Sequence, residues 1–118
     1  MPSFELALHR RFVADHFHEE PYFVEARHGH NWEIQAAAQL ESTAAEAAFA
    51  QALDAWIALV DYSVLNEQAW LARRNPTTEL LAQWACEHLQ ASGLPVTWVK
   101  VREKANYWAL CRPASLAA

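Results

Sequence analysis

Two glycines, Gly29 and Gly93, are all that 118 residues contain, and the sequence is equally poor in what several function classes need. Two lysines and seven arginines lie scattered among 14 acidic side chains, giving a formal net charge of −5. Binding to a phosphate backbone works by counterion release and needs a concentrated basic face, so a nucleic-acid partner is excluded. No apolar run approaches the roughly 20 residues of a membrane span, and Met1-Pro2-Ser3-Phe4-Glu5 lacks the basic-then-apolar order of a signal peptide. The expectation is therefore no membrane partner and a cytoplasmic location. Cys86 and Cys111 have no metal-site spacing, and in a reducing compartment they read as two buried thiols. No repeat, low-complexity tract or linker divides the chain, so residues 1–118 are expected to form a single domain. One core at this length buries roughly two thirds of the unfolded surface, so folding needs neither disulfide nor structural metal. What is abundant is histidine, with six residues. A metal bound here would serve chemistry.

The hydrophobic pattern gives the order strand, strand, helix, helix, strand, strand. Phe4 to Phe17 lacks a helical stripe and alternates with period close to 2, and a loop at Glu19-Glu20-Pro21 ends that strand. From His28 to Leu40, polar Asn31, Glu33, Gln35 and Gln39 set against Trp32, Ile34 and Leu40 fit a second strand. The Ala36-Ala37-Ala38 run fits a helix equally, and the strand reading rests partly on the resemblance described below. Ser42-Thr43 offers an N-cap, and Thr43 with Glu46 spells a capping box before an alanine-rich helix. Phe49, Leu53, Trp56, Ile57 and Val60 form its buried stripe. Thr77 or Thr78 caps a second helix after Asn75-Pro76, with Leu80, Leu81, Trp84, His88 and Leu89 inside, and Gly93-Leu94-Pro95 stops it. Pro95 to Arg102 and Ala105 to Arg112 read as the last two strands.

The strongest chemical signal is Arg27-His28-Gly29-His30-Asn31. Histidines at i and i+2 on a strand project to one face about 7 Å apart, within reach of a single metal ion. Gly29 between them permits close approach. A third ligand must come from elsewhere, and His16 or His18 is available if the first two strands form a hairpin. Three neutral imidazoles suit a first-row metal such as zinc, and three protein ligands leave a coordination position open for chemistry. His9 and His88 read as structural or surface residues.

Five ordered segments resemble the 6-pyruvoyl-tetrahydropterin and 6-carboxy-tetrahydropterin synthase family across nearly the whole chain. They are Phe12-Val13-Ala14-Asp15-His16, His28-Gly29-His30-Asn31-Trp32, Val60-Asp61-Tyr62-Ser63-Val64-Leu65-Asn66, Asn75-Pro76-Thr77-Thr78-Glu79 and Val99-Lys100-Val101-Arg102-Glu103. The resemblance implies an α+β tunnelling fold: a four-stranded antiparallel sheet with two helices on one face, in the order β-β-α-α-β-β. It implies a homo-oligomer, a hexamer made of two trimers whose sheets pair into a barrel. It also implies Zn2+ held by His16, His28 and His30, and a pterin ring anchored by Glu103. A carboxylate suits that anchor because it accepts two parallel N–H bonds from the ring's amino group and neighbouring nitrogen. Thr77 and Thr78 are candidates for lining the pterin pocket.

Two family positions are changed. The catalytic Cys, four residues before the first His of His-Gly-His, is Val24 here, and the His of the family's Asp-His pair is Tyr62, after Asp61. The proton relay that makes the usual 6-pyruvoyl or 6-carboxy product is thus missing two members. In its place stands Glu25, in Glu25-Ala26-Arg27-His28-Gly29-His30, similar to a variant branch with Glu-x-x-His-Gly-His. That branch cleaves the dihydroneopterin side chain to 6-hydroxymethyl-dihydropterin, a folate precursor. The resemblance implies a zinc-dependent pterin lyase acting on 7,8-dihydroneopterin or its triphosphate, with Glu25 as general base and Asp61 orienting a ligand imidazole. The alternatives are a zinc- and pterin-binding homologue without turnover, and a synthase with an altered relay serving tetrahydrobiopterin or queuosine-type deazapurine production.

Overall fold

Alternation along the first strand puts Phe12, Ala14, His16 and His18 on one buried face, and the computed structural model, which describes residues 4–20 and 23–114, builds the molecule on that face. Strand β1 (Phe4–His18) pairs antiparallel with β2 (Glu25–Leu40), which pairs with β4 (Val96–Lys104), which pairs with β5 (Tyr107–Cys111). Helices α1 (Ala44–Val60) and α2 (Thr78–Ala91) supply the buried partners of the sheet. Met1 to Ser3 and the Pro21 of the expected loop lie outside the described residues.

The sheet corrects one expectation. It has five strands, in the order β3-β1-β2-β4-β5, and it is mixed rather than purely antiparallel. The extra strand β3 (Ser63–Val64) runs parallel to β1 at Ala14 and Asp15, and two short 3-10 turns at Leu65–Glu67 and Ala69–Leu71 follow it. Two residues are too few for any periodicity to announce. β2 also begins at Glu25, three residues before the expected His28, and this extension carries the site.

Between sheet and helices lies the core of Phe12, Trp32, Ile34, Phe49, Leu53 and Trp56, with Leu81 and Leu89 from α2. Phe12 stacks on Trp32 with ring centroids 5.8 Å apart and meets Trp56 edge-on at 5.5 Å, so the aromatic residues lock β1, β2 and α1 together. Each such side chain, fully buried, contributes about 1.5–3 kcal/mol.

The helix ends divide. Thr77 caps α2 as expected, its hydroxyl accepting the Leu80 N–H at 3.2 Å. At the other end Gly93 sits at φ +82°, and the Gly93 and Leu94 N–H groups donate back to the Gln90 and Leu89 carbonyls, a Schellman closure that needs this glycine. The capping box at α1 does not form: Thr43 is itself helical (φ −67°, ψ −23°) and its side chain makes no capping bond. A cap oxygen reaches the following N–H groups from an extended backbone, which Thr43 lacks.

Candidate metal centre and adjoining pocket

His16 and His28 are directly opposed across the β1–β2 ladder, and His30 is opposed to Ala14 two pairs further along, so three imidazoles share the helix-facing side of one sheet end. Their ligating nitrogens all lie within 4.8 Å of one another. His16 is fully buried. Its Nδ1 lies 2.9 Å from the Pro76 carbonyl and the Nδ1 of His28 lies 2.7 Å from the Ala26 carbonyl. A carbonyl only accepts, so both Nδ1 atoms carry the proton and both Nε2 atoms present a bare lone pair. Those lone pairs face each other at 3.0 Å. Glu103 Oε1 stands 3.2 Å from His16 Nε2 and 3.7 Å from His30 Nε2, and His30 Nε2 is buried without a hydrogen-bond partner.

The bare lone pairs of His16 and His28 and the Glu103 carboxylate therefore converge on one point, beside the unpartnered Nε2 of His30. A cation resolves this frustration, and carbonyl-fixed imidazoles are how proteins orient ligands to first-row metals. Protonation is a poor substitute, because burial pushes the pKa of His16 and of His30 below the ordinary value. That cause outweighs the opposing pull of the Pro76 carbonyl and Glu103 at His16, and of Glu103 and Glu25 at His30. The residues present fit Zn2+: neutral imidazoles in a number that leaves a position open.

Glu25 reaches the same cluster by an irregularity. Up to His16 the ladder is regular, but His18 pairs with Glu25 rather than with Ala26. Without that slip, period 2 would put Glu25 on the face opposite His28 and His30. The bulge turns it inward instead, so that its Oε1 lies 3.4 Å from His28 Nε2 and 3.3 Å from His18 Nδ1. Ala26, one of the residues passed over, is the one whose carbonyl holds His28. Neither Arg27 nor Arg10 engages Glu25: Arg27 pairs with Asp15 and Arg10 with Asp54. Gly29 is the residue opposite Asp15, and a Cβ there would stand 2.6 Å from the Asp15 carboxylate.

A cavity of about 220 Å³ adjoins the imidazoles, lined by Glu25, Thr77, Thr78 and Glu103 together with His18 and Tyr107. Four residues singled out from sequence thus share one pocket. Thr78 is buried and its hydroxyl has no partner, which leaves it available to a ligand. Leaving such a group unsatisfied costs on the order of 1–3 kcal/mol. Asp61 stands elsewhere. It ends α1, and its Oδ1 accepts the Val13 N–H at 2.9 Å, tying the helix to β1. Among the described residues it makes no contact with the imidazoles, and backbone carbonyls do the orienting there. Val24 and Tyr62 are exposed, at 68% and 84%. His9 pairs with Glu33 on the surface and His88 bonds the Ala52 carbonyl. His18, which spacing alone offered beside His16 as the third ligand, lies outside the imidazole trio and is buried at the pocket wall with Phe23 edge-on at 4.7 Å.

The family model of 6-pyruvoyl tetrahydropterin synthase matches residues 5–114. The chain belongs to the 6-pyruvoyl tetrahydropterin synthase family. Solved structures of the family agree in fold. The 6-pyruvoyl tetrahydropterin synthase of Caenorhabditis elegans superposes with a TM-score of 0.82 at 16% identity, covering 97% of this chain and 98% of that one. Those of Plasmodium falciparum and Plasmodium vivax give TM-scores of 0.68 and 0.70 at 13% and 12% identity. They cover 94% and 96% of this chain, and 98% and 99% of their own. No curated protein matches the chain. Among the described residues no helix is long and apolar enough to cross a membrane.

Proposed function

We propose that this member of the 6-pyruvoyl tetrahydropterin synthase family is a zinc-dependent lyase that cleaves the side chain of 7,8-dihydroneopterin triphosphate, or of dihydroneopterin itself, to 6-hydroxymethyl-dihydropterin. The observation that carries the reading is the inward turn of Glu25 at the bulge, which puts a carboxylate beside three converging imidazoles. A solved variant of the Plasmodium vivax enzyme is a catalytic-residue mutant in which a glutamate is replaced by alanine, which supports a carboxylate in such a role on this fold.

His16, His28 and His30 would hold Zn2+, whose Lewis acidity, when bound, would make a side-chain hydroxyl easier to deprotonate. Glu25 accepts the proton of the hydroxyl on the second side-chain carbon. As that carbon becomes a carbonyl, its bond to the first side-chain carbon breaks. The electron pair passes into the dihydropterin imine, and the proton held by Glu25 returns to the first carbon. A two-carbon aldehyde leaves with any phosphate it carries. Glu103, mostly shielded from solvent, is proposed to hold the ring through paired N–H bonds, with Thr77 and the unpartnered hydroxyl of Thr78 along the pocket wall. Asp61 is proposed to act at one remove, fixing the position of β1 through Val13. For the phosphates, Lys104 in the pocket wall is the proposed cationic neighbour, with Arg73 and Arg74 in an adjoining cavity of about 540 Å³ that shares Thr77 and is also lined by Glu19 and Glu20.

A second reading, a zinc and pterin binder without turnover, draws on the exposure of Val24 and Tyr62, which removes the family's relay from the pocket. Replacing Glu25 by Ala separates the two. The lyase reading expects turnover to fall about 100-fold or more with zinc retained. Unchanged turnover removes Glu25 from its role, and wild-type protein that binds pterin without forming product establishes the second reading.

A further inference from the structure

His18 has no part in the imidazole cluster that converges for a metal, yet it is built into the site. It lies at the end of β1, nine-tenths buried, and neither ring nitrogen has a hydrogen-bond partner among the described residues. Its one ion-pair contact among the described residues is Glu25, whose Oε1 stands 3.3 Å from Nδ1, off the line of a hydrogen bond. Phe23 packs edge-on against the ring from outside at 4.7 Å and His16 does so from inside at 5.0 Å, so the ring is held, while Glu25 is half-exposed and its Oε1 lies between His18 and His28. The register slip that brings Glu25 inward is the same one that makes His18 its cross-strand partner.

We propose that His18 is a positioning residue that donates its Nδ1–H to Glu25 and holds that carboxylate beside His28. The two residues form a unit created by the bulge. A buried imidazole with two unsatisfied nitrogens gains most from the nearest acceptor, and that acceptor needs only a side-chain rotation to align. With Nδ1–H committed to Glu25, Nε2 keeps its lone pair and is available to an N–H or O–H of whatever occupies the pocket. The effect on turnover rests on the lyase reading above. The contact itself does not.

Two measurements on the zinc-loaded chain test it. In steady-state kinetics with dihydroneopterin triphosphate, His18→Leu is expected to lower kcat about 10- to 100-fold with KM within about twofold and zinc stoichiometry unchanged. His18→Asn, which keeps an N–H near the Nδ1 position, is expected to recover most of that loss. A rise in KM with kcat intact, or an Asn variant no better than Leu, overturns the proposal. Histidine 15N NMR reads the contact without turnover: His18 is expected in the Nδ1–H tautomer in wild type and to lose that preference in Glu25→Ala. Identical His18 signals in the two proteins overturn the proposal. If wild type releases no product while the tautomer shifts as expected, the lyase reading fails and the positioning contact stands.

Discussion

His16, His28 and His30 show how a residue's role follows from what holds its other nitrogen. Two Nδ1 atoms are spent on backbone carbonyls, so the Nε2 atoms meet as lone pairs, an arrangement that is unfavourable until a cation enters. Removing one ligand should therefore abolish stoichiometric binding: His28→Ala is expected to retain far less than one zinc per chain by metal analysis after dialysis, whereas full retention would mean the ligands lie elsewhere. The two histidines of His-x-His were legible in the sequence because period 2 puts them on one face, and His16 followed once the hairpin paired. Glu25 was legible only through the family's motif. Strict alternation would send it to the opposite face, and a one-residue slip in register leaves no trace in hydrophobicity. For the same reason His18 was offered only as an alternative third ligand and not as the partner of Glu25. The thiols offer a residue-scale contrast. Burial, with the neighbouring Cys111, pushes the Cys86 thiol up to about 12. A group whose pKa is raised on folding stabilises the fold below its unfolded pKa, and that contribution is lost as pH rises from about 9 toward 12. Cys86 should accordingly resist alkylation at pH 8 in the native chain and react on denaturation, with modification counted by mass spectrometry. Rapid native labelling of Cys86 would show that the thiol is not held in the core.

At the scale of elements, the caps separate what a motif says from what the backbone permits. Thr43-x-x-Glu46 has the composition of a capping box, but the chain leaves β2 through a turn in which the Ser42 and Thr43 carbonyls already accept the Ala45 and Glu46 N–H groups. Thr43→Ala is expected to leave the melting temperature unchanged. Thr77→Ala is expected to cost about 1 kcal/mol, because its hydroxyl bonds the Leu80 N–H. Gly93→Ala is expected to cost a similar amount, because it forces a side chain into a left-handed conformation. Calorimetry on the three variants checks the ranking, and equal shifts for Thr43 and Thr77 would contradict it. Three of the four main strands and both helices were legible from apolar periodicity, whereas β2, with its Ala36-Ala37-Ala38 run, was legible only with the help of the family resemblance. β3 was not, since a two-residue strand is specified by its partner β1 and by the tether from Asp61 to Val13, both distant in sequence.

For the whole molecule, the sheet is open. Among the described residues β5 is an edge strand with Trp108 and Leu110 exposed, and β3 covers only Ala14 and Asp15 of β1, so the ladder groups of β1 toward Phe4 face no described strand on that side. Long uncovered edges are sites for pairing with another chain. We expect sedimentation to show a homo-oligomer, and the hexamer that family resemblance implies is the specific species to look for; a monomer at micromolar concentration would contradict it. Basic residues are few, but Lys104 lines the pocket, and the neighbouring pair Arg73 and Arg74 lies beside it through Thr77, in a cavity that Glu19 and Glu20 also line. Whether the pocket breaks a carbon–carbon bond is decided by identifying the product. Zinc-loaded protein incubated with 7,8-dihydroneopterin triphosphate should release 6-hydroxymethyl-dihydropterin and a two-carbon aldehyde, with none above background from Glu25→Ala. A 6-pyruvoyl or 6-carboxy product, or bound pterin recovered unchanged, would contradict the lyase reading.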